Sequence, residues 1–214
     1  MIPDDQTLTD SGLAITQGKS RLLLLACGAL AREILALIDI NGWTHIDLHC
    51  LPAKLHMTPD KITDGVADAI AKKRADYDRI FVVYADCGTG GLLKAKCDEL
   101  GVEMIAGPHC YSFFEGNDAF AAHGDDDMRA FYLTDFLVRQ FDAFMWKPMG
   151  LDRHPELRDM IFGNYKKLVY QAQTDDPDLL ELARERANRL GLAFEHRPTG
   201  YGDLAVVLRD QAER

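Results

Sequence analysis

The chain has 214 residues, of which 47% are hydrophobic and 27% charged, with a net charge of −10; that is the composition of a globular domain with a sizeable core. Lys and Arg are dispersed in no basic stripe, which excludes a surface built to follow nucleic-acid phosphates or an anionic membrane. No apolar stretch approaches the roughly 20 residues of a membrane span, so a cytoplasmic protein is expected, with a small molecule or another protein as partner.

Residues 1–20, MIPDDQTLTDSGLAITQGKS, contain acidic residues and no hydrophobic centre. They read as a flexible lead-in rather than a secretory signal. Arg21–Cys27 is a continuous apolar run of strand length. In the following GALAREILALIDINGW, Leu30, Ile34, Leu37 and Ile38 recur at helical spacing, and Asn41-Gly42 supplies the stop. Thr44–Leu51 is rich in strand formers. TPDKITDGVADAIAKKRAD then opens with Thr58 as N-cap and Pro59 in the first turn, and Ile62, Val66, Ala69 and Ile70 mark one buried face. Tyr77–Ala85 is a third strand, Leu92–Leu100 a short helix and Val102–Ala106 a fourth strand.

Strands alternating with helices imply βαβ units, and runs such as RLLLLA and RIFVVYA suit strands buried on both faces. The expected fold is α/β: an open, mainly parallel sheet with helices on both faces and a helical C-terminal half. Residues 21–214 are expected to form a single domain, with a βαβ core over 21–110. Three helices are expected over 128–146, 154–173 and 177–190, then a strand-like segment over 192–210. In the first of these helices Phe131, Phe136 and Phe144 read as core, with Tyr132 and Asp135 able to face a cleft. In the second, Leu157, Met160, Ile161, Tyr165, Leu168 and Ala172 form the inward stripe. Asp125-Asp126-Asp127 reads as a solvated helix cap.

The five cysteines are at 27, 50, 87, 97 and 110, with no CxxC pair. In a reducing compartment such cysteines serve catalysis or metal binding rather than stapling. Four of them stand at or just past the end of an apolar run: Cys27-Gly28, His49-Cys50, Asp86-Cys87-Gly88 and Gly107-Pro108-His109-Cys110. Ligands of an open parallel sheet bind beyond the carboxyl ends of its strands, and adjacent strands are about 4.8 Å apart. Four strand ends can therefore feed one site. The candidate metal ligands are Cys27, His49, Cys50, Cys87, His109 and Cys110, and their softness selects zinc or an iron–sulfur cluster. Successive strand residues point to opposite faces, so His49 and Cys50 compete for the site, as do His109 and Cys110. His56 follows the second strand on a loop that can swing in; His45 is remote, and Cys97, inside a helix, reads as packing.

The glycines of CGTGGL, with Gly28 upstream, suit a tight turn beside a cofactor, so Gly28, Gly88, Thr89, Gly90 and Gly91 are candidate cofactor contacts. The pattern is neither GxGxxG nor a P-loop, and no GxSxG elbow is present.

CGAL, LHCLPAKLHMTPDKI, YADCGTGG, GPHCYSFFEG, FYLTDFL and GLDRHPELRDMIFGNYKKLVYQAQT together resemble the family called domain of unknown function 1638. Members of that family are often encoded beside corrinoid proteins and methyltetrahydrofolate methyltransferases. The resemblance thus implies a role in, or assisting, corrinoid or one-carbon methyl transfer, with an indirect relation to cobalamin and a methyltransferase-system partner. The family's cysteine and histidine positions fall on Cys27, His49, Cys50, His56, Cys87, His109 and Cys110. The chain lacks DxHxxG, so it is not expected to carry the corrinoid itself. The alternative reading is a metal-free thiol redox or adaptor protein.

Overall fold

The computed structural model describes residues 3–17, 21–124 and 127–214; Asp125 and Asp126 lie outside them. In chain order the regular elements begin with α1 (Asp5–Asp10), β1 (Leu13–Ile15), β2 (Leu22–Cys27), α2 (Ala31–Asn41), β3 (Ile46–Leu51), α3 (Ile62–Lys73) and β4 (Arg79–Val83). They continue with α4 (Leu92–Glu99), β5 (Glu103–Met104), α5 (Cys110–Glu115), α6 (Asn117–Ala121), β6 (Ala130–Leu133) and α7 (Asp135–Arg139). The last are α8 (Arg158–Phe162), β7 (Lys167–Ala172), α9 (Pro177–Leu190), β8 (Ala193–Pro198) and α10 (Gly202–Ala212). The chain divides into two compact units, one of residues 1–110 with 204–214 and one of residues 111–203.

The first unit holds a five-stranded sheet in the order β1-β3-β2-β4-β5. β3, β2, β4 and β5 are parallel, and β1 joins β3 antiparallel. All six residues of β2 are buried, as an interior strand covered on both faces requires. α2 buries the predicted Ile34, Leu37 and Ile38, and it ends where Gly42 takes a left-handed conformation (φ 62°) that glycine adopts without steric cost. α3 buries the predicted Ile62, Val66, Ala69 and Ile70.

The segment expected as a lead-in is structured over residues 5–15. Asp4 caps α1 by accepting from the Thr7 amide, Leu8 is fully buried, and β1 extends the sheet. Gly12 makes the turn between them at φ +76°, where an added Cβ would lie 2.0 Å from the Cys50 carbonyl oxygen. Gly12→Ala should therefore cost about 2 kcal/mol, as overpacking combined with a disfavoured φ, seen as a lower urea midpoint at unchanged slope. A midpoint within error of wild type would show that β1 is not held in this register.

The second unit corrects two expected helices. Residues 128–146 begin with β6 before α7, and a π-helical turn follows at Asp142–Trp146. Of residues 154–173, only Arg158–Phe162 is α-helical, and Lys167–Ala172 is a strand. The expected inward stripe breaks accordingly, with Met160 73% and Tyr165 37% exposed. β6, β7 and β8 form a parallel three-stranded sheet. One face of it packs Leu133, Leu168, Tyr170 and Ala172 with Leu179, Ala183, Ala187 and Leu190 of α9. α9 runs over the predicted residues, started by Asp176 and Pro177 and stopped by Gly191. The segment expected as strand-like over 192–210 is strand only to Pro198, and Gly202–Ala212 is helix. Phe136 and Phe144 are core as expected, and Phe131 packs against the core while remaining half-buried.

The opposite face of that small sheet carries charge. Lys167 pairs with Asp127 (2.7 Å) and Glu195 (2.6 Å), and Arg197 with Glu115 and Asp127 (3.1 Å each). Tyr132 donates to Asp127 (2.7 Å). Burial opposes the Asp127 charge, yet Lys167, Tyr132 and Arg197 hold its carboxyl well below the usual range. Asp127 is thus an ion-pair anchor rather than a solvated cap, and Tyr132 serves it.

Candidate metal centre

The order of the large sheet creates a switch point. From β2 the chain passes through α2 to β3 on one side, and from β3 through α3 to β4 on the other side of β2. The connections leaving β2 and β4 therefore diverge, and the crevice between their carboxyl ends is where ligands of such sheets bind. Cys27 closes β2 there, and Cys87 follows β4.

The backbone beyond β4 brings a third segment in. The amides of Asp86 and Cys87 donate to the carbonyls of Gly107 (3.0 Å) and Pro108 (3.2 Å), so pairing continues past the regular strands and delivers Cys110 to Cys87. Their sulfurs are 3.2 Å apart. Cys87 has φ +48°, the only non-glycine residue at positive φ among the described residues. Such a conformation costs on the order of 1–2 kcal/mol and persists only where the surroundings impose it. Asp86 helps impose it: its carboxylate accepts from the Gly91 amide (2.6 Å), Thr89 Oγ1 (2.9 Å) and the Gly90 amide (3.2 Å). These bonds, the Gly91 amide first, keep its carboxyl below the ordinary value.

That turn bears on the glycine candidates. The Gly90 and Gly91 amides and the Thr89 hydroxyl are given to Asp86, so the geometry assigns them to shaping the turn rather than to an anion. Gly28 is a packing glycine: a Cβ there would lie 2.4 Å from the Leu8 carbonyl oxygen.

His56 enters from the 3-10 turn Ala53–Met57 after β3. One ligand atom each from His56, Cys87 and Cys110 lies within 4.8 Å of the others, a group able to hold a metal ion. Cys27 flanks it, its Sγ 3.6 Å from His56 Nδ1. Burial works against a charged His56, but the sulfurs of Cys27 and then Cys87 outweigh it and hold the imidazole well above its ordinary pKa. A hydrogen bond from Cys110 and then one from His56 overcome burial and bring Cys87 down to about 5. The same bond, with burial, pushes Cys110 up. The two shifts run in opposite directions, favouring the thiolate on Cys87 and the thiol on Cys110.

The other candidates fall around or away from this group. Cys50 is buried beside Cys27, its thiol pushed up by burial and then by Cys27. His49 points to the other face, as strand alternation requires; burial and then Lys73 lower its pKa, and its buried Nδ1 has no hydrogen-bond partner. His109 is exposed and outside the three-ligand group. Cys97 is buried on α4, its thiol raised to about 11 chiefly by burial. Tyr84 was missed: hidden in an apolar run, it is fully buried, and burial followed by the sulfurs of Cys27, Cys50 and Cys110 drives its phenol up. A polar residue three positions before a strand-end cysteine was the signal available.

Residues 50–208 match the family described as Protein of unknown function (DUF1638). The chain belongs to that family. The match includes His56, Cys87 and Cys110, whereas Cys27 precedes it. No curated protein and no solved structure shows significant similarity to the chain. Among the described residues no helix is long and apolar enough to cross a membrane.

A low thiol pKa has a kinetic consequence. In the metal-free protein, iodoacetamide alkylation of Cys87 should be nearly level from about pH 6 to 8 and fall as pH drops through about 5, where the thiolate is protonated. Peptide mapping of the alkylated protein reads this. A rate climbing about tenfold per pH unit through neutrality, as an ordinary thiol's does, would contradict the assignment.

Proposed function

We propose that this DUF1638 protein holds a zinc ion through His56, Cys87 and Cys110 and serves corrinoid or one-carbon methyl transfer. One observation carries the metal reading: a mixed imidazole and thiolate set converges at the switch point of the sheet. Two thiolates and an imidazole form a soft set suited to zinc. An iron–sulfur cluster fits less well, because only two of the thiols join the convergent group.

His56, Cys87 and Cys110 would hold the ion, which would supply Lewis acidity or favour the thiolate form of a bound thiol substrate. The chain's own residues do the rest. Cys27, against His56 Nδ1, orients the ring so that its other nitrogen is presented to the ion. Tyr84, Cys27 and Cys50 are buried beside one another next to Cys110. The methyl-transfer part follows from what the family resemblance implies, with a corrinoid or methyltransferase system as partner and a small thiol as the substrate class.

The test is elemental analysis with an absorption spectrum on protein purified without oxygen and without an affinity metal, followed by a thiol-methylation assay with a methylcorrinoid donor. About one zinc per chain, without colour, is expected. A brown iron chromophore would replace zinc by a cluster. Metal-free protein would favour the second reading, a thiol redox or adaptor protein, for which the 3.2 Å sulfur separation and the lowered Cys87 pKa speak.

A further inference from the structure

The geometry points to a redox latch on this centre: a peroxide closes Cys87 and Cys110 into a disulfide and thereby releases the metal. The inference rests on the zinc reading and adds its regulation.

Distance carries it first. Two thiolates on one tetrahedral zinc, each about 2.3 Å from the ion, stand about 3.8 Å apart, and a disulfide holds its sulfurs at about 2.0 Å. The Cys87 and Cys110 sulfurs are 3.2 Å apart, between the two, so the same pair reaches either state by side-chain movement of about 1 Å. Access carries it second. Of the five free cysteines Cys110 alone is a partly exposed residue, the other four being buried, so this pair lies nearer solvent than Cys27, Cys50 or Cys97. Ligand count carries it third: the disulfide removes two of the three ligands in the group and leaves His56 alone.

The chemistry balances with hydrogen peroxide as oxidant. One sulfur of the pair attacks a peroxide oxygen; the O–O bond breaks, hydroxide leaves and takes up a proton from solvent, and a sulfenic acid remains. The second sulfur attacks the first, the S–S bond forms, the S–O bond breaks, and the departing hydroxide leaves as water with a proton from the thiol or from solvent. Two electrons pass from the two cysteines to one peroxide, giving two waters. A dithiol reductant reverses the step by thiol–disulfide exchange and restores both ligands.

Zinc-loaded full-length protein is treated with hydrogen peroxide while a chromophoric chelator reports free zinc and alkylation mass spectrometry counts thiols. The expected result is zinc release in step with the loss of two thiols, a peptide cross-link between Cys87 and Cys110, and full reloading after dithiothreitol and zinc. Cys97→Ser should behave as wild type. Cys110→Ser should form no cross-link and leave Cys87 as sulfenic acid or beyond. Zinc that stays bound while the thiols oxidise, or release accompanied by sulfinic acids and no cross-link, would overturn the latch and leave the metal centre standing. Failure to load zinc at all would remove the centre and the latch together.

Discussion

Replacing Cys87 by serine should weaken zinc binding by more than about 100-fold, beyond the roughly 10–100-fold lost when a group that merely orients a ligand is removed. The hydroxyl is a harder donor and is not ionised at neutral pH, so the site keeps its shape and loses a thiolate. The unfolding midpoint of the metal-free variant should stay near wild type, because serine matches the volume and the strained φ belongs to the turn, which Asp86 continues to hold. Cys27→Ser should fall within the 10–100-fold range, since that sulfur touches His56 Nδ1 and stands outside the group of three. Cys97→Ser should bind zinc normally. Competition titration against a chelator of known affinity separates these cases. Normal zinc affinity in Cys87→Ser would remove it as a ligand, and lost affinity in Cys97→Ser would overturn the map of the site.

The first unit was legible because its signals are local and agree. Apolar runs of strand length alternate with helices whose buried faces recur every three or four residues, and Gly42 ends α2 where the pattern stops. Strand ends also point to the edge of the sheet where Cys87 and Cys110 meet His56. Which residues complete the group was not legible. Sequence distance from a strand end places His56 behind His49 and His109, and it does not reveal that the 3-10 turn Ala53–Met57 brings the imidazole within reach of Cys87 and Cys110. The second unit failed for a different reason. β7 is buried at five consecutive positions, and an unbroken apolar run reads the same in a covered strand as in a buried helix. Periodicity cannot separate them; the Gly163-Asn164 break and the β-formers of KLVYQA were the better guide. Residues 5–15 give little sign of their structure in the sequence because an acidic segment with one buried leucine offers little hydrophobic pattern.

Replacing Asp135 by alanine should destabilise the second unit by about 3 kcal/mol or more. Asp135 is 1% exposed, so it does not face a cleft. Its carboxylate accepts from the Tyr170 hydroxyl (2.7 Å), the Gln173 and Thr174 amides (3.1 Å each) and the Thr174 hydroxyl (2.5 Å). In return its own amide donates to Gln173 Oε1 (2.8 Å). These bonds tie the start of α7, just after β6, to the end of β7, so one side chain joins the carboxyl ends of two parallel strands. Alanine strands the buried Tyr170 hydroxyl and Gln173 amide, whereas the donors of exposed Thr174 can turn to water, and each unpaired buried group costs about 1–3 kcal/mol, with less than full additivity. Tyr170→Phe removes one donor and should cost about 1 kcal/mol. A double-mutant cycle between the two in urea unfolding should show clear coupling, because phenylalanine leaves one fewer donor unpaired. A cost for Asp135→Ala below about 1 kcal/mol would show that water or repacking satisfies these groups. The expected cost instead gives the acid of FYLTDFL a structural reason for its place, with every bond it accepts spent on closing the small sheet.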